Sequence, residues 1–310
     1  VISSHASSFA GLPVRLFTPG EPLPEDPSAV AWRLEVEEFE AEPEEFADLV
    51  ATFRTTVPAE AVRAVVVGEW GSAYERALPV ELLVDAATEW TGLRAIFLAD
   101  LVSEQCEISW LTLADITPLL TAYPALETLW VRGGNELMLS PVRHDGLREL
   151  RFESGGLPGP LVQAVGESQL PALERLVFWL GRTDYGASTG PEQLAPLLAG
   201  GGLPALRHLG LCNSEIANVV ARTVADAPVV ARLEVLDLSM GVLTDDGLDA
   251  LLAGQSLTHL RRLDLTHHFL SDEAQQRVVA ALPGVDVDLS DARKVEVYSG
   301  REYRFTAVGE

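Results

Sequence analysis

Lysine is almost missing from this chain. Lys294 is the only one among 310 residues, and arginine supplies the other side-chain positive charge. Bases total 22 against 46 acids, a formal net charge of −24. That deficit argues against a nucleic-acid binder, whose phosphates demand a basic face, and against docking on anionic membranes. Cysteine is also scarce. Cys106 and Cys212 stand in different repeats of the pattern described below, and at ~4.8 Å per strand they are separated by roughly 15 Å or more, beyond a disulfide's reach. Two free thiols fit a reducing compartment, so a cytoplasmic location is expected. There is no long apolar run and no charged-then-apolar amino terminus, which predicts a soluble, unsecreted chain. HExxH, CxxC, a phosphate-cradling glycine loop and a nucleophile elbow are absent too. The expectation is a non-enzyme with no cofactor and no metal.

What the sequence does hold is a repeat. LRRLDLTHHFL places Leu260, Leu263 and Leu265 in the pattern L-x-x-L-x-L, and the phrase recurs 27 residues earlier at Leu233, Leu236, Leu238 and again at Leu206, Leu209, Leu211. Further upstream the same positions fall at Leu173, Leu147, Leu126, Leu93, Val62 and a degenerate Ala31, Leu34, Val36; downstream, Leu282, Val285 and Val287 make a last copy. A unit this short buries its apolar face only by stacking on its neighbours. The fold class predicted is α/β: a leucine-rich-repeat solenoid, or horseshoe, with about ten parallel concave strands and convex helices. Residues 1–30 are read as an amino-terminal cap, 31–289 as the solenoid and 290–310 as a β-hairpin and tail. The repeat from 126 to 147 is too short for a full helix. Helices are expected at 42–56, 80–88, 117–123, 158–165, 191–198 and 215–225, and from Thr244 and Ser271 as N-caps; Thr117 is read as a cap too.

Side chains alternate along a strand, so residues between the leucines face away from the core. The position between the second and third core residues reads Glu35, Val66, Phe97, Trp130, Arg151, Val177, Gly210, Asp237, Asp264, Asp286; the next outward position runs from Glu37 through Arg132, Glu153, Trp179 and Cys212 to Asp288. Phe97, Trp130 and Trp179 thus fall among Arg132, Arg151, Glu153 and Arg175, with His208 beside them. These are the residue types enriched at interface hot spots, and they form the candidate partner-binding patch. Asp237, Asp264, Asp286 and Asp288 make an acidic ladder whose charges are expected to be solvated or met by Lys294, Arg301 and Arg304 of the hairpin, with a bound cation as the alternative. His267 and His268 alternate sides, which argues against a shared metal.

CEISW (106–110), PVRHDGLRELRFESGGLP (141–158), LSMG (238–241) and LTHLRRLDLTHHFLSDE (257–273) together resemble a bacterial, actinobacterial-type family of stand-alone leucine-rich-repeat proteins of unassigned activity. The resemblance implies a partner or substrate in a modification pathway, beside radical-SAM and ATP-grasp enzymes, and supplies no catalytic residues. Two functions follow as expectations. The first is a protein- or peptide-binding scaffold using the concave face. The second is a carrier whose tail, with Arg301, Tyr303, Arg304, Phe305 and a loose Thr306–Glu310, is the substrate of neighbouring modification enzymes.

Overall fold

The computed structural model describes residues 2–36 and 42–309. Twelve strands form one sheet in sequence order: β1 Ser8–Phe9, β2 Leu12–Leu16, β3 Ala31–Leu34, β4 Ala64–Val67, β5 Ala95–Leu98, β6 Thr128–Arg132, β7 Glu149–Glu153, β8 Arg175–Gly181, β9 His208–Ser214, β10 Val235–Asp237, β11 Arg262–Asp264 and β12 Asp286–Asp288. Within this sheet, among the described residues, β1 and β2 pair antiparallel and the later strands pair in parallel. The fold is therefore α/β, a mostly parallel sheet built from strand-and-connection units. Ser8–Leu16 belong to the same sheet as the repeats.

Among the described residues eight α-helices fill the connections: α1 Pro43–Thr56, α2 Val80–Asp85, α3 Thr117–Ala122, α4 Gly159–Glu167, α5 Pro191–Ala199, α6 Ala217–Val224, α7 Asp245–Ala253 and α8 Asp272–Ala281. All share one continuous core with the leucine face of the sheet; Phe46, Val50 and Phe53 of α1, for example, bury beside Leu34 and Val65. As the short spacing requires, no helix stands between β6 and β7. Local chemistry sets the helix starts. Ser271 caps α8, its hydroxyl accepting from Ala274 N at 3.1 Å. Thr244 does not cap α7 with its side chain, because its hydroxyl accepts from Asn218 Nδ2 at 2.8 Å. Thr117 is likewise inside α3; the carboxylate of Asp115 takes its N–H at 2.9 Å.

The register agrees with the leucine pattern in the middle and departs from it at both ends. Ala31 pairs with Ala64 and Trp32 with Val65, so Trp32 and Leu34 are the core residues of the first repeat, and Arg33, not Glu35, aligns with Val66. At the other end Val287 aligns with Leu263, which puts Asp288, not Asp286, beside Asp264. Both corrections are slips of two residues. A slip of one reverses every side chain, whereas a slip of two keeps the same face inward, so alternation alone does not detect it. Glu37 lies outside the described residues.

The last two strands, β13 Glu296–Tyr298 and β14 Arg301–Tyr303, pair only with each other, as a separate antiparallel hairpin. Val297, Tyr298, Tyr303 and Phe305 stay exposed at 64%, 57%, 38% and 42%, so this hairpin does not cover β12 with an apolar face. No helix is long and apolar enough to cross a membrane among the described residues.

Candidate interaction face

The face of the sheet away from the helices has two halves. Over β3 to β6 it is closed by the chain's own amino terminus. Residues 2–9 cross it, tied down by Ser103 N donating to Ile2 O at 2.9 Å and Ala6 N donating to Asp100 Oδ2 at 3.0 Å. Phe9 then lands on Phe97, with ring centroids 5.7 Å apart, and on Trp130 at 5.3 Å. A second small core forms there from Phe9, Ala31, Ala64, Val66, Ala95 and Phe97. Phe97 is only 1% exposed, which removes it from the partner-binding patch. Sequence placed it correctly on the outward face; that Phe9 covers that face was not legible from repeat spacing.

A ladder of buried charge borders this half. Asp100, fully buried, accepts from Arg33 Nη1 at 2.6 Å and from Arg132 Nη1 at 2.8 Å. Arg132 Nε reaches Glu153 Oε2 at 2.8 Å, and Arg151 Nη2 takes the other oxygen of Glu153 at 2.6 Å. Arg33 also meets Glu35 at 2.6 Å. Three guanidiniums and three carboxylates therefore alternate, and no net charge is buried. Gly68 makes the span from Arg33 possible: a Cβ there would sit 2.7 Å from Arg33 Nη2 and 2.3 Å from Glu35 Oε2. Arg132 and Glu153, expected as partner contacts, are 7% and 3% exposed and belong to this internal ladder.

The other half, from β6 to β11, stays open. Arg151 is its centre. Its guanidinium lies between two indoles, 4.9 Å from the Trp130 ring and 5.4 Å from the Trp179 ring. Its side chain keeps 22% of its exposure, Trp130 is half-buried, and Trp179 is 9% exposed. Glu149 on the neighbouring register accepts from Trp130 Nε1 at 3.1 Å and pairs with Arg175 Nε at 3.3 Å. Arg175 Nη1 in turn donates to His208 Nδ1 at 3.0 Å. Burial, reinforced by the Arg175 charge, pulls the His208 pKa down to about 4. The imidazole is therefore neutral at pH 7, and with Nδ1 accepting, the proton sits on Nε2. That donor has no partner among the described residues.

The acidic ladder is met from within the sheet. Arg262 reaches Asp264 at 2.9 Å, Asp286 at 2.9 Å and Asp288 at 2.5 Å, while Asp237 Oδ1 accepts the N–H of Ser239 at 3.0 Å. The hairpin does not supply these counter-charges: Arg304 pairs with Glu302 at 3.1 Å. Arg262 stands at the first outward position of its strand, in the same row as Arg175 and His208. Neither histidine of the 267–268 pair is free for a ligand. His267 meets Asp291 Oδ2 at 2.9 Å and Phe305 O at 3.0 Å, and His268 bridges Leu289 O at 3.1 Å and Leu270 N at 3.1 Å. Among the described residues no three His, Cys, Asp or Glu side chains are grouped to hold a metal. Both cysteines are buried free thiols; burial raises Cys106 to about 11 and Cys212 well above its usual value.

The tail is not loose. Thr306 and Val308 are 8% and 6% exposed, and the backbone of 305–309 runs across the ends of the strands, back toward the first repeats. Composition suggested a flexible end because these side chains are small; what holds them is main-chain hydrogen bonding, which composition does not encode. Arg301 and Tyr303 stay exposed on the hairpin, and Glu310 lies outside the described residues.

No family model and no curated protein matches the chain. Among solved structures, a Bacteroides fragilis protein determined as a Northeast Structural Genomics Consortium target is similar, at 28% identity and a TM-score of 0.75, over 88% of this chain and 77% of that one. The likeness supports the α/β arrangement.

Proposed function

We propose that the sheet and its helices form a leucine-rich-repeat horseshoe, strands concave and helices convex, capped by residues 2–16 at one end. On this reading the protein is a non-enzymatic scaffold that binds a protein or peptide partner on the open half of the concave face. The observation that carries it is Arg151, placed between the rings of Trp130 and Trp179 and still partly exposed. An arginine already immobilised between aromatic rings loses little entropy on binding, and such residues dominate interface energetics. Arg175 and Glu149 flank it. Each arginine on this half already has a carboxylate of its own chain, so a partner's acids compete for them and do not neutralise bare charge.

Pull-down of native partners with wild type and with Arg151→Ala plus Arg175→Glu tests the proposal. Removing a central hot spot costs about 2 kcal/mol or more of binding, roughly a thirtyfold loss. Equal recovery of the same partner by both proteins rules it out. The carrier reading is the weaker one, because Thr306 and Val308 are buried and Asn213 holds the Val308 backbone.

A further inference from the structure

Three residues 27 positions apart, Asn213, Met240 and His267, share an unusual backbone: their φ angles are 53°, 68° and 60°, in the left-handed region that non-glycine residues seldom enter. Each stands at or just past the end of its strand, in the same place of three consecutive repeats, and each holds the tail. His267 Nε2 lies 3.0 Å from Phe305 O, Met240 O accepts from Ala307 N at 2.9 Å, and the Asn213 amide does both jobs for Val308, donating to its O at 2.7 Å and accepting from its N at 2.9 Å. Beyond them Ser109 Oγ donates to Gly309 O at 2.6 Å. Gly155 leaves the room, since a Cβ there would sit 2.2 Å from Gly309 O and 2.1 Å from Ser109 Oγ. The pitch fits as well. Three extended residues advance roughly 10 Å, and two strand spacings measure roughly the same.

Every one of these tail atoms is backbone. Of the side chains, Thr306 and Val308 are buried, and Phe305 stays 42% exposed with Arg182 5.8 Å from its ring centroid. The tail is also delivered on an arm with little hold on the rest: the hairpin pairs only with itself and its aromatics are exposed. We propose that the strand-end track from His267 to Ser109 is a binding site for an extended peptide, read through its backbone, and that the protein's own carboxyl-terminal residues occupy it in cis. The ligand class is an extended segment with a buried aliphatic residue followed by glycine, as in Thr-Ala-Val-Gly. The track lies at the strand ends and does not depend on the concave-face reading.

The test uses the full chain with a protease site inserted in the exposed turn between Ser299 and Gly300. After cleavage the segment from Gly300 to Glu310 is held only by non-covalent contacts. A fluorescent copy of that segment should exchange into the cut protein saturably, and not into the uncut protein, as read by anisotropy. The same peptide N-methylated at Val308 keeps its side chain but lacks the N–H that Asn213 accepts, and should compete at least tenfold less well. Cut protein carrying Asn213→Ala should take up the unmodified peptide at least tenfold more weakly. Retention of the original segment without exchange would show a fixed strap and overturn the proposal. So would its loss without uptake of the labelled peptide, equal uptake by uncut protein, or equal competition by the N-methylated peptide.

Discussion

Removing the carboxylate of Asp100 should be among the most damaging single changes in this protein. Asp100 is fully buried, and its two oxygens accept from Arg33 Nη1, Arg132 Nη1 and Ala6 N at 2.6, 2.8 and 3.0 Å. Arg33 and Arg132 are themselves only 5% and 7% exposed. Asp100→Ala leaves two guanidiniums facing one another in a dry site, with the anchor of the amino-terminal crossing cut as well. Stripping one partner from a buried ion pair costs about 3–5 kcal/mol. Asp100→Asn keeps an acceptor and most of the volume but loses the charge, so it should fall between Ala and wild type. Urea denaturation followed by circular dichroism measures both: with m near 3 kcal/mol/M the midpoint of Asp100→Ala should drop by about 1 M or more at unchanged m. A loss below about 1 kcal/mol for the alanine variant would mean that water reaches the guanidiniums and that the buried ladder is not the link between the amino terminus and the sheet.

Three further outcomes are expected. His208 has its folded-state pKa lowered from 6.5 to about 4, so between those values the unfolded chain binds more protons and stability falls as pH drops; the stability of wild type relative to His208→Gln, followed by urea midpoint, should decline across that window and stay flat above pH 7. Cys106 and Cys212 should resist a thiol reagent at pH 8 in native protein and both react in denaturant, because burial holds their pKa values high; two fast-reacting thiols in the native state would contradict their burial. Phe9→Ala should cost about 3–5 kcal/mol and raise the solvent exposure of Trp130, since Phe9 is 2% exposed and packs on both Phe97 and Trp130; fluorescence quenching by acrylamide reports the second effect.

The leucine positions were legible because a repeat states the same packing problem many times, and each of Leu209, Leu236 and Leu263 answers it alike. The ends were less legible, since the first and last copies carry tryptophan or valine where leucine is usual, and a two-residue slip keeps the same alternation. On the outward face the sequence located Trp130, Arg151, Arg175 and His208 side by side, a consequence of register alone. It did not separate Arg132 and Glu153, which close an internal ladder, from Arg151, which remains partly open. That difference depends on Asp100 and Phe9, residues outside the repeat's strand positions whose reach over the face is set by loop paths. Burial of the tail was hidden for the same reason: Asn213 is one polar residue at the end of β9, and nothing nearby in sequence marks Val308, 95 positions away, as its partner.

The most direct measurement of the central claim is site-specific photo-crosslinking in cells, with a photoreactive amino acid placed at Arg175 on the open half of the sheet face or at Gln276 on the exposed side of α8. If the open face is the binding surface, the Arg175 position should yield one dominant crosslinked species, diminished when Arg151→Ala is added, while the Gln276 position yields none. The same species from Gln276, or a yield at Arg175 unchanged by Arg151→Ala, would contradict the account.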